Sequence, residues 1–182
     1  MMNLHDRLLI GVTGPPGCGK TTLVEQVASI LRRDGKVVAG IITREVREGG
    51  RRIGFNIIDI ETLQAVPLAR ESGETGPRIG RYRVYVENLD GYASDVIDRA
   101  LGRGGIVIVD EVGPMELMSQ RFRSVLERVL RNAREAILTL HYRSRDPLLL
   151  EAHSIVTRLI VLRRGEAGAL AREVAKLFME RG

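Results

Sequence analysis

One eight-residue motif constrains this chain more than any other feature: residues 14–21 read GPPGCGKT and match the pattern G-x-x-x-x-G-K-[ST]. A shuffled chain of the same composition would contain this pattern roughly 0.003 times. The motif lies between an apolar stretch, residues 7–12, and an amphipathic segment, residues 21–33, which predict a strand and a helix. In that setting glycines let successive N–H groups, together with the helix N-terminus, face one phosphate. We therefore expect a phosphate-binding loop made of Gly14, Pro15, Pro16, Gly17, Cys18, Gly19, Lys20, Thr21 and Thr22.

Three residues of this loop carry distinct predicted roles. Lys20 should reach the β- and γ-phosphates of a nucleotide and act in catalysis, and the Thr21 hydroxyl should bind Mg²⁺. Cys18 is interpreted as a small side chain at a variable position; a redox role is the alternative, because a helix N-terminus lowers a thiol pKa. A glycine turn that only joins a strand to a helix is the alternative for the motif as a whole.

The rest of the chain alternates apolar runs with helix-like periodicity, the pattern of a parallel sheet covered by helices. We predict an α/β fold of the P-loop NTPase type, with a mainly parallel sheet flanked by helices, in a single domain of residues 1–182. A β-rich insertion, residues 44–90, contains strands with no helices between them and predicts an antiparallel extension of the sheet. The predicted strands are residues 7–12, 36–43, 41–46, 53–60, 65–69, 82–86, 106–109, 136–140 and 155–162; the predicted helices lie within residues 21–33, 95–101, 118–129 and 170–178.

A second motif follows the insertion, where residues 106–111 read IVIVDE. An apolar strand that ends in two carboxylates is a Walker-B pattern. Asp110 would hold Mg²⁺ through a water, and Glu111 would orient or deprotonate an attacking water. The pattern is common by itself, but it gains weight about 90 residues after a complete phosphate-binding loop. A surface carboxylate is the alternative for Glu111.

Further candidates follow other predicted strands, because ligands of open α/β sheets bind beyond the carboxyl ends of the strands. His141 comes directly after residues 136–140 and is a candidate catalytic residue. Arg143 or Arg145 could neutralise transition-state charge, although solvated surface arginines are the alternative. A local cluster in the sequence, formed by Arg78, Arg81 and Tyr82, could approach the base or ribose of a nucleotide.

Composition excludes several classes of protein. One cysteine excludes an intrachain disulfide framework and a Cys-rich zinc site. No run of 18 apolar residues is present and the N-terminus lacks a typical leader, so we expect no membrane span and a cytoplasmic location. The formal charge of +5 raises nucleic acid as a partner. That partner is not favoured, because the arginines are dispersed among acids and aromatic residues make up only 4% of the chain.

Four segments together resemble the nucleoside-triphosphatase family of archaea and bacteria, relatives of the human cancer-related nucleoside-triphosphatase. They are residues 11–23 (GVTGPPGCGKTTL), 40–60 (GIITREVREGGRRIGFNIIDI), 77–89 (PRIGRYRVYVENL) and 107–117 (VIVDEVGPMEL). The resemblance implies slow, Mg²⁺-dependent hydrolysis of ATP, GTP and other nucleoside triphosphates to the diphosphate and phosphate. It also implies that eight residues lie along the nucleotide: Val107, Ile108, Val109, Asp110, Glu111, Val112, Gly113 and Pro114.

The chain departs from the family pattern at residues 139–143 (TLHYR). The pattern has His followed directly by Arg, whereas here Tyr142 separates His141 from Arg143. This leaves open whether Arg143, Arg145 or neither contacts the phosphates. Three other functions also stay open: a small-molecule or RNA kinase with a P-loop, a nucleotide-binding adaptor, and an ATPase stimulated by nucleic acid. The preferred base and the oligomeric state are not indicated by the sequence.

Overall fold

Residues 6–181 are described by a computed structural model, in which nine strands form one sheet with helices on both faces. The strands are β1 (Leu8–Thr13), β2 (Val38–Glu48), β3 (Arg51–Asp59), β4 (Ala65–Arg70), β5 (Arg78–Ile79), β6 (Tyr82–Val84), β7 (Ile106–Val112), β8 (Glu135–Leu140) and β9 (Arg158–Val161). The helices are α1 (Lys20–Arg33), α2 (Val86–Asn88), α3 (Ser94–Arg103), α4 (Gln120–Asn132), α5 (Pro147–Ile155) and α6 (Ala167–Met179).

The sheet has the order β5-β6-β4-β3-β2-β7-β8-β1-β9, and its two halves differ in direction. From β2 to β9 all neighbours are parallel, whereas from β2 to β5 all neighbours are antiparallel. The predicted α/β fold, with a mainly parallel sheet and an antiparallel extension from the middle of the chain, is confirmed. The single-domain organisation stays a prediction, and this continuous sheet is consistent with it.

Strand β7 shows why the central strands are continuously apolar. Val107 and Val109 face the core under α3, α4 and α5, while Ile106 and Ile108 face the opposite core under α1 and α6. All four side chains are buried, as expected for a parallel strand that is covered on both faces. The strand also continues to Val112, so the two carboxylates that follow the apolar run lie on the strand itself.

The prediction of a strand over residues 155–162 is wrong in its first part. Ile155 is the last residue of α5, a helix that was not predicted, and β9 covers only Arg158–Val161. The helix begins at Pro147, and the side chain of Asp146 caps it by accepting a hydrogen bond from Leu148 N at 2.9 Å. Pro at the first helical position after an Asp cap is a recognised start signal, but three consecutive leucines, residues 148–150, obscure the helical period.

Two other boundaries differ from the predictions. Strand β6 ends at Val84 rather than Val86, because Val86 already begins a helical segment that runs through a π-helical turn, Leu89–Ala93, into α3. Residues 38–43 and 41–46, from two segments predicted as separate strands, belong to the single strand β2, whereas residues 36 and 37 of the first segment precede it. Its first half pairs with β7, and residues from Ile41 onward pair with β3.

Many of the arginines have a carboxylate within 4 Å, which supports the interpretation that much of the positive charge is paired with nearby acidic residues. The paired arginines are Arg44, Arg47, Arg51, Arg52, Arg81, Arg99, Arg103, Arg121, Arg123, Arg128 and Arg181.

None of the helices in residues 6–181 has both the length and the apolar character needed to cross a bilayer.

Candidate active site

The phosphate-binding motif forms a loop between β1 and α1, at the carboxyl edge of the parallel strands. Gly14 and Gly19 have φ values of 153° and 105°, within the range that side chains disfavour. A Cβ on Gly14 would lie 2.5 Å from the carbonyl oxygen of Leu162, so only glycine fits at this close approach. Helix α1 begins with no side-chain cap, which leaves its first N–H groups available to an anion.

Lys20 is held over the loop by main-chain oxygens. Its Nζ donates hydrogen bonds to the carbonyl oxygens of Gly14 at 3.0 Å and Pro15 at 3.3 Å. The ammonium charge of Lys20 lowers the pKa of Glu111, against the effect of burial, which raises it. The same charge lowers the pKa of His141, in the same direction as burial. Three predicted catalytic side chains, from α1, β7 and the end of β8, therefore converge on one region.

The remaining loop residues fall into two groups by exposure. Pro15, Pro16, Gly17 and Thr22 are exposed, whereas the side chain of Cys18 is only 6% exposed and packs in the core beneath the loop. Burial of this kind supports the interpretation of Cys18 as a small packing residue.

Thr21 connects the loop to the second motif. Its Oγ1 donates a hydrogen bond to Oδ2 of Asp110 at 2.9 Å, across 89 residues of sequence. Asp110 is 1% exposed, and Thr139 Oγ1 on β8 donates to its other oxygen, Oδ1, at 2.6 Å. The main-chain N–H of Thr43 on β2 also donates to Oδ2 at 3.2 Å. The carboxylate of Asp110 is thus oriented from three neighbouring elements.

Thr43 and Thr139 were not predicted as site residues. A β-branched threonine in a buried strand is indistinguishable by sequence from a packing residue, because strand propensity favours it in any case. Their position is nevertheless informative once the sheet order is known, since β2 and β8 are the two neighbours of β7. Both threonines are at the same edge of the sheet as Asp110 and face it.

Burial shapes the electrostatics of the three acids at this edge. It raises the pKa of Asp110 to about 6, with the charge of Glu111 acting in the same direction and the bonds from Thr139 and Thr21 opposing it. The pKa of Glu111 is raised by burial and lowered by Lys20. The pKa of Glu116 is raised well above its ordinary value, first by burial and then by the charge of Glu111.

Glu116 was not identified from the sequence, although it belongs to the segment VIVDEVGPMEL. It lies in a 3₁₀ turn, Glu116–Met118, that returns beneath the end of β7. It is 4% exposed, and its Oε2 would be 3.2 Å from a Cβ added to Gly113. The only sequence signal was an acid close to two others, which by itself does not distinguish a buried carboxyl from a surface one.

His141 presents a defined tautomer. Its Nδ1 accepts hydrogen bonds from the main-chain N–H groups of Arg143 at 3.3 Å and Ser144 at 3.1 Å. Burial and the charge of Lys20 lower the pKa of this imidazole. The neutral ring therefore carries its proton on Nε2, which makes it a hydrogen-bond donor.

The other predicted residues are distributed around this centre. Val107, Ile108 and Val109 are at most 2% exposed, so they support Asp110 from the core. Val112 is also buried, Gly113 lies beside His141, and Pro114 is exposed.

Arg143 and Arg145 are exposed, and neither has a carboxylate within 4 Å among residues 6–181. Tyr82 is buried in the β extension, where its hydroxyl accepts hydrogen bonds from Arg52 at 3.0 Å and Arg81 at 3.1 Å.

The donor set at Thr21 and Asp110 fits Mg²⁺. A hydroxyl and a carboxylate oxygen 2.9 Å apart are hard oxygen ligands, and Mg²⁺ is bound by one or two protein groups together with waters and phosphate oxygens. Within the described part of the chain, no group of three or more His, Cys, Asp or Glu residues is arranged to hold a metal ion. This set therefore suits a metal that arrives with a phosphate compound.

Sequence comparison identifies relatives over almost the whole chain. The sequence profile of a family described as NTPase matches residues 9–175. The chain is 48% identical to the nucleoside-triphosphatase THEP1 of Methanopyrus kandleri over 140 residues, which cover 77% of both proteins. It is 37% identical to the nucleoside-triphosphatase THEP1 of Thermofilum pendens over 172 residues, or 91% of this chain and 94% of that protein.

Solved structures share the same architecture. The crystal structure of THEP1 from the hyperthermophile Aquifex aeolicus superposes with a TM-score of 0.82 at 29% identity, covering 94% of this chain and 99% of that one. The solution structure of a human cancer-related nucleoside triphosphatase gives a TM-score of 0.77 at 30% identity, with coverage of 94% and 96%.

Proposed function

Because this chain belongs to the NTPase family of nucleoside-triphosphatases, we propose that it hydrolyses ATP, GTP and other nucleoside triphosphates to the diphosphate and phosphate, with Mg²⁺. The observation that carries the proposal is the hydrogen bond between Thr21 of the phosphate loop and Asp110 of β7. It joins the phosphate-binding element to the strand that carries Glu111, so that an anion-binding group and a candidate base belong to one site.

Binding of the triphosphate rests on the loop and Lys20. Main-chain N–H groups of the loop and of the first turn of α1 would surround the β-phosphate, aided by the positive end of the helix dipole. Lys20 would leave its carbonyl partners on Gly14 and Pro15 and place its ammonium between the β- and γ-phosphates. A compact cation there offsets the negative charge that develops during phosphoryl transfer.

Thr21 and Asp110 would hold the metal. When bound, Mg²⁺ supplies positive charge to the phosphate oxygens and lowers the cost of charge build-up on them. The protein contributes a fixed geometry, since Thr139 and Thr43 already orient the Asp110 carboxylate. This arrangement needs little reorganisation when the nucleotide arrives.

Glu111 would orient the attacking water and accept its proton. The water oxygen forms a bond to the γ-phosphorus, the bond from that phosphorus to the β–γ bridging oxygen breaks, and the diphosphate leaves with the electron pair. Burial raises the pKa of Glu111 and so makes it a stronger base than an exposed glutamate, while Lys20 keeps its ionised form accessible. The Nε2–H of His141 would donate to a γ-phosphate oxygen.

Phosphate release from ATP, GTP, CTP and UTP, with and without Mg²⁺, tests the proposal. We expect Mg²⁺-dependent release from all four, with no added acceptor. Turnover only with an added acceptor would identify a kinase and contradict hydrolysis. An RNA arm belongs in the same assay, because stimulation that collapses with salt would identify an ATPase driven by nucleic acid.

A further inference from the structure

A cavity adjoins the phosphate loop, and the proposed mechanism assigns no ligand to it. Its volume is about 540 Å³, within the range of small-molecule sites. Pro15 and Pro16 of the loop form one wall, and Tyr142, from the segment after β8, forms another. The cavity is therefore continuous with the place where the phosphates are expected.

The opposite wall comes from the end of β9. Val161 and Leu162 line the cavity there. Leu162 is fixed against the first residues of the loop, since its N–H donates to the carbonyl oxygen of Thr13 at 2.8 Å and its own carbonyl lies against Gly14. This wall is therefore hydrogen-bonded to the strand that leads into the phosphate loop.

The strand order gives the direction in which a nucleotide would lie. On one side of β1, two strands away, lies β7 with Asp110 and Glu111. On the other side, β9 is the direct neighbour of β1. A triphosphate with its β-phosphate in the loop and its γ-phosphate at the carboxylates thus extends its nucleoside end toward β9. The cavity lies at that end.

The lining has the chemistry of a stacking site. Tyr142 is 44% exposed and Val161 is 56% exposed, so an aromatic ring and an aliphatic side chain are accessible to a ligand. Arg143 lies over the Tyr142 ring, with its Cζ 5.9 Å from the ring centroid, so a base would stack on the ring in place of Arg143 or on the opposite face.

The charged residues in the lining are Arg163 and Arg164, and within residues 6–181 neither guanidinium has a carboxylate within 4 Å. The carboxylate of Glu166 accepts a hydrogen bond from the main-chain N–H of Arg163 at 3.0 Å. The two guanidinium groups at the rim favour the approach of an anionic ligand such as a nucleotide.

We infer that this cavity binds the base and ribose of the nucleoside triphosphate, with the base stacked against Tyr142. The inference rests on the proposed function and adds how the nucleoside is recognised. Every base offers a π-face, whereas no Asp, Glu, Asn or Gln among residues 6–181 lines the cavity to read the hydrogen-bonding edge of one base. The site therefore binds purine and pyrimidine nucleotides alike, with purines stacking more strongly.

Binding of reaction products separates this inference from the hydrolysis itself. Dissociation constants for ADP, GDP, CDP, UDP and pyrophosphate, measured calorimetrically with Mg²⁺, report on the nucleoside and phosphate parts without turnover. Tyr142→Ala should weaken all four nucleoside diphosphates by about 5- to 150-fold, the range expected for loss of one stacking contact. Pyrophosphate should bind Tyr142→Ala and the wild type equally, and Tyr142→Phe should bind every ligand as the wild type does.

Three results would overturn the inference. They are unchanged binding of the nucleoside diphosphates to Tyr142→Ala, an equal loss for pyrophosphate, or wild-type binding of pyrophosphate as tight as that of ADP. Failure of the proposed hydrolysis is a separate result, because it is read as phosphate release in the wild type. Because Tyr142 is exposed, its replacement leaves the core unchanged.

Discussion

The hydroxyl of Thr21 donates a 2.9 Å hydrogen bond to Oδ2 of Asp110 and so joins the first turn of α1 to the end of β7. These residues belong to the two separate motifs of the sequence. Their contact brings the two motifs together across β8, which lies between β1 and β7 in the sheet. It also places a hydroxyl and a carboxylate where a metal-bound phosphate can share them.

Removal of the Thr21 hydroxyl should weaken metal-dependent turnover. Thr21→Ala should raise the Mg²⁺ concentration for half-maximal phosphate release by on the order of 10- to 100-fold, because one oxygen ligand is lost. Thr21→Ser keeps the hydroxyl and should stay close to wild type. Equal Mg²⁺ requirements for the Ala and Ser variants would exclude Thr21 as a ligand.

Thr139 should contribute to stability through Asp110. Thr139→Val keeps the volume of this fully buried side chain but removes the donor to Asp110 Oδ1. We expect the free energy of unfolding in urea to fall by about 1–3 kcal/mol, the cost of a buried acceptor without its donor. Thr139→Ser, which loses a methyl group but keeps the donor, should be less destabilised. A valine variant as stable as the wild type would contradict the proposed role of this hydrogen bond.

The two motifs and the sheet halves could be predicted from sequence because each has a local signature. The glycine spacing of the loop, the apolar run before Asp110 and the turn at Gly49-Gly50 all report on neighbouring residues. Helix α5 was missed because it has only nine residues and because an apolar residue, Leu150, lies on its exposed face, where it obscures the helical period. Thr139 and Glu116 were missed because their importance depends on contacts between elements, which only the strand order defines.

Glu116 should give the apo protein a characteristic pH dependence. Burial raises its pKa well above 4.5, so the folded state retains a proton that the unfolded state releases. The free energy of unfolding should therefore fall as pH rises above about 4.5, by up to about 1.4 kcal/mol per pH unit for this group, until the folded-state pKa is passed.

Glu116→Gln tests this dependence, because the amide cannot ionise. The variant should lose less stability than the wild type as pH rises, so that the difference between them grows with pH. Glu173→Gln, the same change at an exposed position of α6, controls for the loss of one acidic group. Parallel stability curves for the wild type and Glu116→Gln would show that Glu116 is ionised in the folded protein.

The role of Glu111 is the centre of the account, and Glu111→Gln tests it most directly when nucleotide binding and phosphate release are measured on the same preparation. The amide keeps the shape of the side chain but cannot accept the proton of the attacking water. We predict that ATP binding is retained while phosphate release falls by about 10²- to 10⁴-fold, the usual contribution of a general base. Phosphate release by Glu111→Gln at the wild-type rate would contradict the proposed mechanism.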